Sequence, residues 1–73
     1  MSKLKIEIAS VPDREHLVAE IWFEENLIAE VNQEKGYLEI EIYPSEPLKL
    51  SFEDYQKALI EAKNKLKECI TDV

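Results

Sequence analysis

The sequence contains one glycine, one cysteine, one histidine and three prolines, and each scarcity closes off a class of function. With Gly36 as the sole glycine, no glycine-rich loop can cradle a phosphate. With Cys69 as the sole cysteine, an internal disulfide and a cysteine-based zinc site are both excluded. His16 stands alone at a predicted strand edge, so a solvated imidazole is expected there rather than a catalyst. Ser2, Ser10 and Ser45 have no recognisable base beside them, and Ser51 is expected as a helix cap. Apolar runs are only a few residues long, too short for a membrane span or the core of a secretory leader. A cytoplasmic protein without a cofactor is the expectation, and the length, 73 residues, allows one small domain covering 1–73.

Bases are scarce as well, and unevenly so. Residues 1–48 hold eleven acids against Lys3, Lys5, Arg14 and Lys35, a balance of −7. Residues 49–73 hold five of each sign, so the whole net charge falls on the first part of the chain. Such a field repels nucleic acid and membrane surfaces and attracts basic proteins, although charge of this size also serves plain solubility.

What is present is alternation. Lys3 to Ala9 places Leu4, Ile6 and Ile8 on one side. A loop follows at Val11-Pro12-Asp13-Arg14, then a second strand over about Glu15 to Glu24 with Leu17, Ala19, Ile21 and Phe23 inward. Leu27 to Asn32 turns Leu27, Ala29 and Val31 inward, and Tyr37 to Tyr43 does the same with Leu38, Ile40 and Ile42. Tyr43-Pro44-Ser45-Glu46-Pro47 cannot continue a central strand. From about Phe52 to Ile70 the period becomes helical, with Phe52, Tyr55, Leu59, Ala62, Leu66, Cys69 and Val73 on one stripe. Ser51 and Asp54 form an approximate capping box at its start. The expected fold is α+β: a four-stranded antiparallel meander with one C-terminal helix packed on one face, ββββα.

Parity sets the expected registers. Phe23 and Leu27 both inward demand an odd loop, which Glu24-Glu25-Asn26 fits with Asn26 left-handed. That pairing sets Trp22 opposite Ile28 and Glu20 opposite Glu30. The next hairpin needs an even loop, either Lys35-Gly36 or Gln33 to Gly36. The shorter version sets Glu30 opposite Glu41 and Ile28 opposite Tyr43. Like charges directly opposite weaken a sheet, and such violations of good design concentrate at functional sites.

The outward face therefore gathers Glu20, Trp22, Ile28, Glu30, Glu39, Glu41 and Tyr43, together with Val18 and Tyr37. Aromatics ringed by carboxylates suit docking to a basic partner, and cross-strand aromatic packing on a solvated face is the alternative. A Ca²⁺ or acid/base role for Glu20, Glu30 and Glu41 would need a cavity and further ligands that a flat face lacks.

The run Ile6-Glu7-Ile8-Ala9-Ser10-Val11-Pro12-Asp13-Arg14-Glu15, followed by Leu17-Val18-Ala19-Glu20-Ile21, resembles small bacterial immunity proteins of polymorphic or contact-dependent growth-inhibition toxin systems. The pattern Leu38-x-Ile40-x-Ile42-Tyr43-Pro44 and the closing amphipathic helix extend the resemblance over most of the chain. It implies a non-enzymatic protein that binds a cognate toxin, often a nuclease, and blocks its active site or substrate groove. It assigns no individual binding residue. On this expectation Glu20, Glu30, Glu39 and Glu41 would occupy sites that hold phosphates, with Trp22 and Tyr43 as anchors. The expected partner is a basic toxin domain such as a ribonuclease, with no direct binding of nucleic acid or membrane and a monomer or weak homodimer when free. A self-associating structural or adaptor domain is the other reading.

Overall fold

A computed structural model describes residues 3–12 and 15–71, with side chains described as far as Glu68. Strands β1 (Leu4–Ala9), β2 (Val18–Phe23), β3 (Asn26–Asn32) and β4 (Glu39–Ile42) form one antiparallel sheet in the order β1-β2-β3-β4. Helix α1 spans Phe52–Thr71. The ββββα arrangement read from the alternation is the observed one. Asp13 and Arg14, expected in the first loop, lie outside the described residues, as do the side chains of Cys69 and Val73 on the expected helical stripe.

The helix begins where its sequence provides a cap. The Asp54 backbone N–H donates to Ser51 Oγ at 3.3 Å, and the Tyr55 N–H donates to the Ser51 carbonyl at 3.0 Å. Glu53 and Asp54 place negative charge against the positive end of the helix dipole. Lys65 and Glu61 pair at 3.0 Å on the exposed side. Ala58, Ala62 and Leu66 form the buried line, and Tyr55 and Leu59 flank it. Phe52, expected on that line, is 78 % exposed because the stripe turns away from it at the first helical residue.

From the sheet, Ile6, Ala19, Ile21, Ile28, Ala29 and Val31 complete the core. The helix makes its substantial contacts with β1 and β2. A helix is about 10–12 Å across and strands lie about 4.8 Å apart, so one helix spans roughly two strands. Consequently the inward side of β4 stays uncovered. Leu38, Ile40 and Ile42, expected inside, are all exposed, Ile42 at 64 %. Leu17, also expected inside, is exposed just before β2.

Two hairpins depart from their expected form. The β2–β3 turn is Glu24-Glu25, two residues, with Phe23 opposite Asn26. Glu24 takes the left-handed conformation at φ 56°, rather than Asn26. The parity argument assumed an unbroken ladder, but the register shifts between Ile21 and Trp22, so an extra β3 residue replaces the odd loop. At the β3–β4 turn the register follows the Lys35-Gly36 reading, with Asn32 opposite Glu39. The strands part earlier, however, and leave Gln33 to Leu38 as a loop closed by Gly36 N–H to the Gln33 carbonyl at 3.3 Å. Gly36 has φ 83°, which favours glycine.

β2 also begins later than expected, at Val18. The Glu34 carboxylate accepts the backbone N–H groups of Glu15 and His16, at 3.0 and 3.1 Å, and so holds them in the loop rather than in the ladder. The carbonyl oxygen of the Asn32 side chain in turn accepts the Glu34 N–H at 3.2 Å.

Candidate functional site

The sheet ladder carries a line of four carboxylates. Glu7 lies opposite Glu20, Glu20 opposite Glu30, and Glu30 opposite Glu41. The line crosses all four strands on the side away from the helix. The Glu20–Glu30–Glu41 portion is as the alternation predicts. Glu7 joins the line through the β1–β2 register, in which Ile6 lies opposite Ile21 and both face inward.

Neutral donors gather around this line. Trp22 Nε1 donates to Glu20 Oε1 at 3.2 Å. The Tyr43 hydroxyl lies 3.4 Å from Glu30 Oε1 and 3.2 Å from Glu41 Oε1, so one phenol proton is shared between two carboxylates. Asn32 Nδ2 reaches Glu30 Oε2 at 3.5 Å. Lys5 pairs with Glu7 at 3.2 Å and Lys35 with Glu39 at 3.0 Å. Partial burial, then the charges of Glu30 and Glu41, push the Tyr43 phenol up to about 12.

The face is less open than its alternation suggests. Glu30 is only 6 % exposed, and Asn32 and Val18 are fully buried. Glu7, Glu20, Trp22 and Glu39 are half-buried, while Glu41 and Tyr43 are exposed. Ile28 does not belong to the face. The bulge rotates its side chain into the core beside Ile21 and Ala29, at 5 % exposure, and Leu27 takes the place opposite Trp22. Backbone contact between Ile28 and Tyr43 remains, since the Tyr43 N–H donates to the Ile28 carbonyl at 3.0 Å.

Chemically, the line can present a column of negative charge to a cationic surface, with an indole and a phenol held beside it. His16 is exposed and lies on the loop tied down by Glu34. Among the described residues no group of three His, Cys, Asp or Glu side chains is placed to hold a metal ion, and no helix is long and apolar enough to cross a membrane.

A second surface feature was not anticipated from sequence. An open groove of about 420 Å³ lies between the end of β4 and the start of α1, lined by Ile28, Ile42, Pro44, Leu48, Phe52 and Tyr55 among others. The signal was present in the count of helices: one helix cannot cover four strands.

Comparison of the chain with protein-family models, curated proteins and solved structures finds no match.

Proposed function

We propose that this chain is a non-enzymatic acidic inhibitor, an immunity protein that neutralises a basic toxin domain such as a ribonuclease in the cytoplasm. The observation that carries the reading is the line Glu7–Glu20–Glu30–Glu41, flanked by Trp22 and Tyr43. Nuclease grooves hold phosphates with Lys and Arg, and an aligned column of carboxylates would compete for the same groups. Glu41, Glu20 and Glu7 would make the approach. Glu30, being buried, acts by holding Tyr43 in place. Trp22 and Tyr43 would supply the apolar contact that slows release.

The test assays a basic ribonuclease toxin domain for nuclease activity with and without this chain. Glu41→Gln should slow association, most strongly at low salt. Trp22→Ala should speed dissociation. Unchanged inhibition by both variants would remove the acidic–aromatic face from consideration.

A self-associating domain is the second reading, favoured by the uncovered apolar side of β4. It would show as a dimer by sedimentation that Ile42→Ser converts to monomer.

A further inference from the structure

We propose that β4 is a strand-addition site, and that its occupant is an extended protein segment with apolar and basic residues in alternation. β4 is the last strand of the sheet, so among the described residues one of its sides has no neighbouring strand. The Tyr43 N–H bond to the Ile28 carbonyl sets the phase of that edge. Glu39, Glu41 and Tyr43 direct their backbone groups towards β3, and Ile40 and Ile42 direct theirs outward. Two N–H and two C=O groups therefore point away from β3 along one line, as in domains that capture peptides by strand addition.

Side-chain chemistry names the occupant. On the helix side of β4, Ile40 and Ile42 are exposed at 39 and 64 %, continuous with the groove at Leu48 and Phe52. On the opposite side, β4 presents Glu39 and Glu41, the latter at the end of the carboxylate line. A strand added here would place alternate side chains on an apolar shelf and the others against carboxylates. Apolar residues fit the first set, Lys or Arg the second. Glu39 holds an ion pair with Lys35 and Glu41 accepts from the Tyr43 hydroxyl, so the basic side chains of the added strand would meet two carboxylates already fixed in position.

A second copy of the chain fits badly. Two-fold antiparallel pairing of β4 with itself sets Glu41 opposite Glu41 when centred on Glu41 and Glu39 opposite Glu41 when centred on Ile40, between two chains each carrying −7. Centring on Ile42 avoids that clash but sets Ile40 opposite Pro44, which has no N–H to give. The proposal rests on the inhibitor reading only for the sign of the partner's charge.

The test needs no nuclease, so its failure is distinct from a failure of that reading. Short synthetic peptides of alternating Ile and Lys, Ile and Glu, or Ser and Lys are titrated into the full chain, with backbone amides followed by nuclear magnetic resonance. The Ile/Lys peptide should protect the amides of Ile40 and Ile42 from exchange, and the other two peptides should bind at least about tenfold more weakly. Ile42→Pro removes one outward N–H while leaving the bonds to β3, and should weaken Ile/Lys binding by about tenfold. Should that variant fail to fold, Glu41→Lys supplies the second arm: it should favour the Ile/Glu peptide over the Ile/Lys one. Equal binding of the Ile/Lys and Ile/Glu peptides by the wild type, or protection confined to other strands, would overturn the proposal. So would a wild-type dimer that Ile42→Pro dissociates.

Discussion

Glu20 stands directly opposite Glu30 on neighbouring strands, and Glu30 in turn faces Glu41. The middle carboxylate is the most buried of the three and shares its oxygens with Tyr43 and Asn32. Glu30→Gln preserves the shape and one acceptor, and gives Glu20 and Glu41 an amide donor. Stability should rise by about 0.2–1 kcal/mol, with a smaller gain in high salt. Urea denaturation at two salt concentrations measures this, and a loss of stability would contradict the repulsion argument.

Tyr43 provides the pH dependence. Its phenol is raised from 10.0 to about 12 in the fold, so the protonated form is the one the fold favours. The associated stability is fully present below pH 10 and is lost as pH rises towards 12. Tyr43→Phe should abolish that loss between pH 10 and 12 and remove the late component of the tyrosinate absorbance titration. A Tyr43→Phe titration that retains the late component would assign it elsewhere.

The partial reach of the helix separates two classes of apolar residue. Leu66 is 1 % exposed within the core, and Leu66→Ala should cost about 2–5 kcal/mol. Ile42→Ala, on the uncovered side, should change stability by less than about 0.5 kcal/mol. Denaturant midpoints for both variants test the division, and a large loss at Ile42 would mean that something covers β4.

Glu34 ties two loops together through the N–H groups of Glu15 and His16. Glu34→Ala should cost about 1 kcal/mol, a modest figure because the bonds are exposed. Amide hydrogen exchange at Glu15 and His16 should accelerate while that of β3 stays near its original rate. Unchanged exchange at these two amides would show that the loop is held by other contacts.

The alternation in the sequence made the four strands, the helix and most of the carboxylate line legible, because side-chain parity in a strand is fixed by backbone geometry. The error at the β2–β3 hairpin and the error at Ile28 share one cause. Parity counts only while the ladder is unbroken, and a bulge beside Trp22 carried Ile28 from the expected outer face into the core. No residue near the bulge signals it: Leu27, Ile28 and Ala29 are all apolar and satisfy either side. Burial was harder to foresee than direction. Val18, Asn32 and Glu30 point away from the helix yet are buried, and Ile40 and Ile42 lie on the helix side yet are exposed. Direction is a property of one strand, whereas burial depends on what the rest of the chain can reach.

The limited span of the helix also sets the order in which the sheet opens. β1 and β2 carry the substantial contacts of α1, while β4 is four residues long and, among the described residues, paired with β3 alone in the sheet. Local opening should therefore start at β4, at a free energy well below that of global unfolding. The Tyr43 and Glu41 end of the acidic line belongs to this loosely held margin, and its Glu7 and Glu20 end belongs to the part that opens last. A strand docking on β4 would close the margin, so occupancy should appear as slowed exchange in β3 as well as in β4, at amides the partner never touches.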